Sequence, residues 1–574
     1  MPFIEFERVS FTYPESPRPA LNAVSLTIDK GEYVAVVGAN GSGKSSLLRL
    51  LNGLRLPGSG ELRIAGLATS DEVGRMAARA AVGLVFQSPS DQIVSSSVEE
   101  DVAFGPENLG LPRQEIAARV ERALTAVGLW GERRRASHFL SEGQQQRLAV
   151  AGVLALDVHC VAFDEATAML DPEARLKVLD LMDGLVAAGT AVVHVTHDMS
   201  EASRASRVVV LDRGAVVFDG SPDALFSASR DDGSAPAIHA LGLPDCVALA
   251  VALGLEPRCG ESAAAIAARI VARRGTGTAT GAAVQPVAAP GTASIDPVFE
   301  LKGASHSYLR GTVNETESLR AVDLRVGRAE VVAFVGRTGS GKSTALQLLD
   351  GLVAPSSGAV LAFGSDLGSP RADLRSVRMR APLAIQRPES ALFERYSGDD
   401  VAFGPRNIGL AGKDLVERVR SSMEETGLGY AEFRDRRTRS LSGGEKRRLA
   451  LAGVLAMGGD ALLLDEPTSG LDPATKRSIL ALVVGRSMQG TTVVMATHSM
   501  EEAAKADQVA VFADGGIVAI GDPRTIFYDR FDPSWGLRRP FACEVAIEFE
   551  ARGISLRQRP LGLDGLVAAL AETP

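Results

Sequence analysis

The chain has 574 residues, 45% of them hydrophobic and 23% charged, and a formal net charge of −9. That length accommodates several domains with sizeable cores, and the acidic balance gives no support to a nucleic-acid partner. No apolar run approaches the roughly 18 residues of a spanning helix, the opening MPFIEFERVS lacks the character of a signal peptide, and four scattered cysteines without C-x-x-C spacing read as buried thiols of a reducing compartment.

Taken in chain order, residues 3–9 and 23–28 alternate apolar and polar, as antiparallel strands do. Tyr13 lies between them. An aromatic there is core by default, or stacks on a nucleobase if it borders a nucleotide loop. Residues 33–37 (YVAVV) predict a buried strand, residues 38–46 read GANGSGKSS, and residues 47–51 begin a helical pattern. Strand, loop and helix in this order are the setting that G-x-x-x-x-G-K-[ST] needs to cradle phosphate. Gly38, Asn40, Gly41, Gly43 and Ser46 would shape the loop, Lys44 would reach the β/γ-phosphates of ATP, and Ser45 would hold Mg²⁺.

Residues 82–86 predict another strand, followed by Gln87, whose amide would bind Mg²⁺ or the attacking water. A helical insertion spans about residues 95–135, including a helix at 114–127. Within it, VEEDVAFGPENLGL from Val98 reads locally as a helix start with Pro106 near the first turn. LSEGQ at 140–144 opens another helix, placing Ser141 and Gly143 at an N-terminus suited to phosphate. The strand at 158–163 ends in Asp164-Glu165: Asp164 would hold Mg²⁺ and Glu165 would polarise water. A helix follows from Pro172. The strand at 191–195 leads to His197, placed to orient Glu165 and water; His159, His194 and His239 read as structural. Residues 223–272 form a short helical extension, and 273–297, rich in Gly, Thr, Ala and Pro, read as a flexible linker.

The pattern then repeats about 300 residues on. Tyr308 corresponds to Tyr13. GRTGSGKST supplies Gly336, Thr338, Gly339, Gly341, Lys342, Ser343 and Thr344, with Ser343 toward Mg²⁺. Gln386 matches Gln87, and DDVAFGPRNIGL follows Asp399. LSGGE supplies Ser442, Gly443 and Gly444, LLLDEPT ends in Asp465-Glu466, and His498 matches His197. The expected organisation is therefore a first ATPase domain at 1–222, its extension at 223–272, the linker at 273–297, a second ATPase domain at 298–523 and its extension at 524–574.

With Leu-Ser-x-Gly between the phosphate loop and Asp-Glu, both halves resemble the ATP-binding cassette (ABC) ATPases, and the motifs stand in family order. The resemblance implies an α/β fold of two tandem P-loop NTPase domains, each with an antiparallel β subdomain, a helical subdomain and a short helical C-terminal extension. It implies ATP hydrolysis with Mg²⁺ and an intramolecular cassette dimer with two composite sites. One joins Lys44, Gln87, Glu165 and His197 to Ser442-Gly443-Gly444. The other joins Lys342, Gln386, Glu466 and His498 to Ser141-Glu142-Gly143. Asp171 and Asp472 fall at the turn that crosses the interface in this family. Tyr13 and Tyr308 would stack on adenine. Glu142 departs from the family's LSGGQ and puts a carboxylate where a phosphate belongs, so the second composite site is expected to be the weaker; Glu445 is the other departure.

The segment D-V-A-F-G-P-x-N-x-G-L, present in both halves, resembles energy-coupling factor (ECF) importers, as does Ala166 in DEATAMLDP. In that family two ATPases, often separate chains, drive a transmembrane scaffold subunit that works with a small substrate-capture membrane protein for a vitamin or for nickel or cobalt. The implied location is peripheral, on the cytoplasmic face of the cell membrane, with no nucleic acid. A sugar importer with tandem ATPases, an exporter ATPase and a soluble tandem-cassette translation factor are the alternatives; the uncharged linker and acidic chain disfavour the last.

Overall fold

The computed structural model describes residues 2–14, 18–168, 170–228, 241–274, 297–312, 315–386, 391–554 and 556–572. Most of the expected linker, 275–296, and His239 lie outside the described residues. The chain forms two compact units, Met1–Glu261 with Asp472–Ala474, and Ser262–Leu471 with Thr475–Pro574.

In the first unit, strands β1 (Ile4–Phe11), β2 (Leu21–Ile28), β3 (Tyr33–Val37), β4 (Ser59–Ile64), β5 (Leu67–Ala68), β6 (Val82–Val85), β7 (Cys160–Asp164), β8 (Ala191–Val195), β9 (Arg207–Asp212) and β10 (Ala215–Gly220) make two sheets. One has the order β2-β1-β4-β5 and is antiparallel throughout its pairings. The other has the order β10-β9-β3-β8-β7-β6; only the β9–β10 edge is antiparallel. The reason lies in the patterning. Every residue of β3, β6, β7 and β8 is buried, as in parallel strands covered on both faces. β2, with the pattern LNAVSLTI, buries alternate residues and leaves one face wet. A shared core joins the sheets through Phe6, Leu26, Leu47, Leu50, Val36 and Ala162.

The second unit repeats this plan with β11 (Phe299–Tyr308), β12 (Thr316–Val326), β13 (Val331–Gly336), β14 (Ser357–Ala362), β15 (Ser365–Asp366), β16 (Leu383–Ala384), β17 (Ala461–Asp465), β18 (Thr492–Ala496), β19 (Gln508–Ala513) and β20 (Gly516–Gly521). The sheet orders are β12-β11-β14-β15 and β16-β17-β18-β13-β19-β20. In both units β3 and β13 are central, so the loops that follow them emerge in the middle of the parallel edge.

The inserted helices differ from expectation in one respect. Pro106 and Pro405 sit in the last turn of the helices Val98–Asn108 and Ser397–Asn407, not near their starts. The first of these helices begins upstream, where the Ser97 hydroxyl accepts from the Glu100 amide at 3.4 Å and three acidic residues complement the first turn. A carboxylate, buried in Asp101 and half-buried in Asp400, braces each entry: Asp101 accepts from the amides of Val94 and Ser95 at 2.8 and 2.9 Å, and Asp400 from Phe393 and Glu394 at 3.0 and 2.9 Å.

After the sheets, the helices Pro222–Ala228 and Asp245–Ala252 stay with the first unit. The helix Ala263–Arg274 belongs to the second, where the Arg552 guanidinium donates to the Ala264 carbonyl at 3.1 Å.

Candidate active site

Each phosphate loop is built on glycines that no other residue could replace without a rearrangement. Gly38 has φ 153°, and a Cβ there would lie 2.2 Å from the Leu211 carbonyl oxygen. Gly43, at φ 106°, would meet the Ala20 oxygen at 2.3 Å. Gly336 and Gly341 repeat both features. Gly43 and Gly341 are the N-caps of the helices Lys44–Leu51 and Lys342–Leu349. Each loop therefore ends on the positive end of a helix, with Asn40 and Gly41, or Thr338 and Gly339, at its crest.

The buried lysines lie along these loops. Lys44 Nζ donates to the carbonyls of Gly38 and Ala39 at 2.9 and 3.1 Å, and Lys342 Nζ to those of Gly336 and Arg337 at 2.7 and 2.9 Å. Burial lowers the Lys44 pKa, with Glu165 and Asp164 opposing that shift. The tyrosines lean on the same loops: Tyr13 Oη lies 3.2 Å from Ser46 Oγ, and Tyr308 Oη 3.2 Å from Thr344 Oγ1.

Next to the first loop, Ser45 Oγ donates to Asp164 Oδ1 at 2.9 Å. Burial and the neighbouring Glu165 raise the Asp164 carboxyl to about 6. A hydroxyl and a crowded carboxylate, both hard oxygen donors, fit a small divalent cation that would relieve the repulsion.

Glu165 and Glu466 occupy the left-handed backbone region, φ 50° and 51°, one residue past β7 and β17. Each is pinned there by its amide, which donates to Val195 or Ala496 at 3.0 Å. Both are non-glycine residues in a conformation that costs energy and is held by that amide bond. His197 Nε2 lies 2.7 Å from Glu165 Oε1, and Gln87 Nε2 donates to Glu165 Oε2 at 3.1 Å. In the second unit His498 Nε2 lies 3.2 Å from Glu466 Oε1. The two carboxyls titrate differently. Burial works to raise Glu165, but His197 and Lys44 outweigh it and hold its pKa below the usual range. Burial pushes Glu466 up to about 8, with Glu502 and Asp465 adding and Lys342 opposing.

The structure thus brings Lys44, Ser45, Asp164, Glu165, Gln87 and His197 to one edge of one sheet. Ser141 and Gly143 belong to a different element, the start of the helix Glu142–Leu154. There the Ser141 hydroxyl and the Gln144 side chain form a reciprocal capping box. In the second unit Glu445 fills the same capping role for Ser442, and Arg436 donates to its other oxygen at 3.0 Å. Asp171 caps the helix Pro172–Ala187, accepting from the Ala174 amide at 2.8 Å. Of the histidines read as structural, His194 is fully buried beside the Tyr33 hydroxyl, and His159 is exposed against Phe3.

The family model described as ABC transporter matches residues 21–168 and 319–469. The chain belongs to the ABC transporter family. It is 36% identical over 534 residues to a putative ABC transporter ATP-binding protein of Bifidobacterium longum, covering 89% of this chain and 66% of that relative. It is 32% identical over 578 residues to a putative ABC transporter ATP-binding protein of Methanosarcina acetivorans, covering 97% and 92%. Over 220 residues it is 46% identical to the energy-coupling factor transporter ATP-binding protein EcfA1 of Halalkalibacterium halodurans, covering 38% of this chain and 79% of that one. The chain is accordingly a tandem ABC ATPase, an ATP-binding subunit of the kind that works with transmembrane components. Among its described residues no helix is long and apolar enough to cross a membrane.

Sequence reasoning missed the buried carboxylates Asp101, Glu201 and Glu502 and the half-buried Asp400. Each pair was present as a signal, since both halves repeat D-V-A-F-G-P and T-H-x-M-x-E-A.

Proposed function

We propose that this chain is the motor of an ECF-type importer for a vitamin or a transition-metal ion, peripheral to the cytoplasmic face of the cell membrane. Its partners are a transmembrane scaffold subunit and a small substrate-capture protein. The observation that carries this reading is the D-V-A-F-G-P segment and the exposure of its phenylalanine in both units. Phe104 and Phe403 are 48% and 42% exposed, and Phe403 packs edge-on against exposed Phe393 at 4.6 Å. Aromatic side chains left in water at the same place twice fit insertion of a partner element.

In the mechanism, Lys44 and Lys342 and the glycine-loop amides bind the ATP phosphates, while Tyr13 and Tyr308 stack on adenine. Ser45 with Asp164, and Ser343 with Asp465, would hold Mg²⁺, assisted by Gln87 and Gln386; the ion neutralises phosphate charge when bound. Glu165 and Glu466 accept the proton of the attacking water, and His197 and His498 hold them in place. The motif order supports two composite sites, each completed by the signature of the other half: Ser442-Gly443-Gly444 for Lys44 and Ser141-Gly143 for Lys342. Glu142 makes the latter the weaker. Nucleotide-driven closure moves the scaffold, and hydrolysis reopens it.

Affinity purification of the tagged chain from membranes in mild detergent tests the assignment. Recovery of a transmembrane scaffold together with a small capture protein is expected. Recovery of ribosomes, or of sugar-permease subunits instead, would overturn it.

A further inference from the structure

Behind each catalytic corner lies a buried carboxylate that no nucleotide-binding motif includes. Glu201 is 3% exposed and Glu502 is 1% exposed. Glu201 Oε2 accepts from two hydroxyls: Thr167 Oγ1 at 2.9 Å and Thr196 Oγ1 at 2.5 Å. Thr167 stands two residues after Glu165, and Thr196 immediately precedes His197. Glu201 Oε1 accepts from Arg175 Nε at 2.5 Å. Arg175 lies on the helix Pro172–Ala187, capped by Asp171, and its guanidinium also pairs with Asp198, the residue after His197. One side chain therefore ties the loop of the base, the loop of the histidine and the helix after the Asp171 turn.

The second unit builds the same brace. Glu502 accepts from Thr468 Oγ1 and, at 2.7 Å, from Thr497 Oγ1, and Lys476 Nζ lies 3.0 Å from its Oε1. Thr468 again stands two residues after the catalytic carboxyl, and Thr497 immediately before the histidine. The cation changes from Arg to Lys and Asp198 becomes Ser499, with Lys476 donating to Ser499 Oγ at 3.2 Å. The two threonines and the carboxylate do not change. A buried carboxylate is costly unless its lone pairs are filled, and here hydroxyls and a cation fill them. Generic core stability is better supplied by an apolar residue of similar size, so retention of this group in both halves argues for a geometric task.

We propose that Glu201 and Glu502 are positioning residues for ATP hydrolysis, holding His197 against Glu165 and His498 against Glu466 through the paired threonine hydroxyls. Their hydrogen-bond partners are the threonine hydroxyls and a cation, not the residues assigned to ATP. This rests on the assignment of Glu165 and Glu466 as the bases.

The test uses the full chain with Mg²⁺ and ATP. The pair Thr196→Val with Thr497→Val deletes one hydroxyl per brace at nearly constant volume. Because small misplacement of reacting groups is expensive, kcat is expected to fall about 10-fold or more with the KM for ATP almost unchanged, while the melting temperature drops modestly because each buried carboxylate loses one hydroxyl donor. The pair Thr196→Ser with Thr497→Ser keeps the hydroxyls and is expected to recover most of kcat. An unchanged kcat in the valine pair overturns the proposal. So does a KM that rises as kcat falls, loss of folding, or a serine pair as impaired as the valine pair. Glu165→Gln with Glu466→Gln is run alongside. Should that pair keep wild-type hydrolysis, the base assignment itself fails; should it lose hydrolysis while the valine pair does not, only the brace fails.

Discussion

The two catalytic corners share a backbone and differ in their electrostatics. Glu165 and Glu466 sit at φ 50° and 51° with the same amide bond to the neighbouring strand. Yet Glu165 contacts Gln87 and lies 2.7 Å from His197, while Glu466 is more deeply buried and 3.2 Å from His498. Burial dominates the second carboxyl and partners dominate the first. The two units share the scaffold, and the groups around it push the two carboxyls in opposite directions, which under the proposed mechanism leaves Glu165 the better base near neutral pH.

The largest expected effect comes from removing the bases. General-base catalysis contributes about 10²–10⁴-fold, so Glu165→Gln with Glu466→Gln should reduce steady-state ATP turnover by at least about 100-fold. The single variants should be unequal, with Glu165→Gln the more damaging; equal residual turnover would remove the asymmetry.

The pH dependence sharpens the same comparison. In Glu165→Gln only Glu466 remains, and a carboxyl raised to about 8 is protonated below that pH and basic above it. Turnover of this variant should climb as pH rises through about 8. In Glu466→Gln the remaining Glu165 has a lowered pKa and is ionised throughout, so its profile should be flat from about pH 6 to 9. Two flat profiles in pH-jump or steady-state assays would refute the electrostatic difference.

A smaller effect is expected at the signature turns. Glu445 needs Arg436 for its second oxygen, whereas Gln144 at the matching position carries no charge. Arg436→Gln should reduce turnover a few-fold, a coupling of about 1 kcal/mol for a partly exposed pair, and Glu445→Gln in the same chain should relieve it. Additive losses in that double-mutant cycle would exclude the coupling.

The smallest is structural. Ser97 caps its helix with its hydroxyl, but Tyr396 at the equivalent place has no side-chain cap. Ser97→Ala should cost about 1 kcal/mol in denaturant unfolding, and Tyr396→Ala less.

Much of the site was legible because phosphate chemistry constrains sequence locally. A loop that turns amides inward needs glycines at Gly38 and Gly43, and their spacing to Lys44 survives in any context. Strand positions were equally plain: fully buried parallel strands read as unbroken apolar runs, and 33–37 and 191–195 match β3 and β8 to the residue. Pro106 was misplaced because proline tolerates both a first turn and, less commonly, a last one. What decided between them was Ser97 upstream and the bracing of Val94 and Ser95 by Asp101. For Glu201 and Glu502 the repeat of T-H-x-M-x-E-A was the only signal, and it did not show burial, since an acidic residue in a short helix ordinarily faces water.

By itself, then, the sequence determined that there are two glycine loops of the phosphate-binding pattern, and the alternation of strand and helix around them. These depend on contacts within a few residues. Tertiary structure alone decided that Glu201 and Glu502 lie buried behind Glu165 and Glu466, that burial and partners push those two carboxyls in opposite directions, and that the helix Ala263–Arg274 belongs to the second unit. Burial and partner choice depend on residues far apart in the chain, and only the packed fold brings those together.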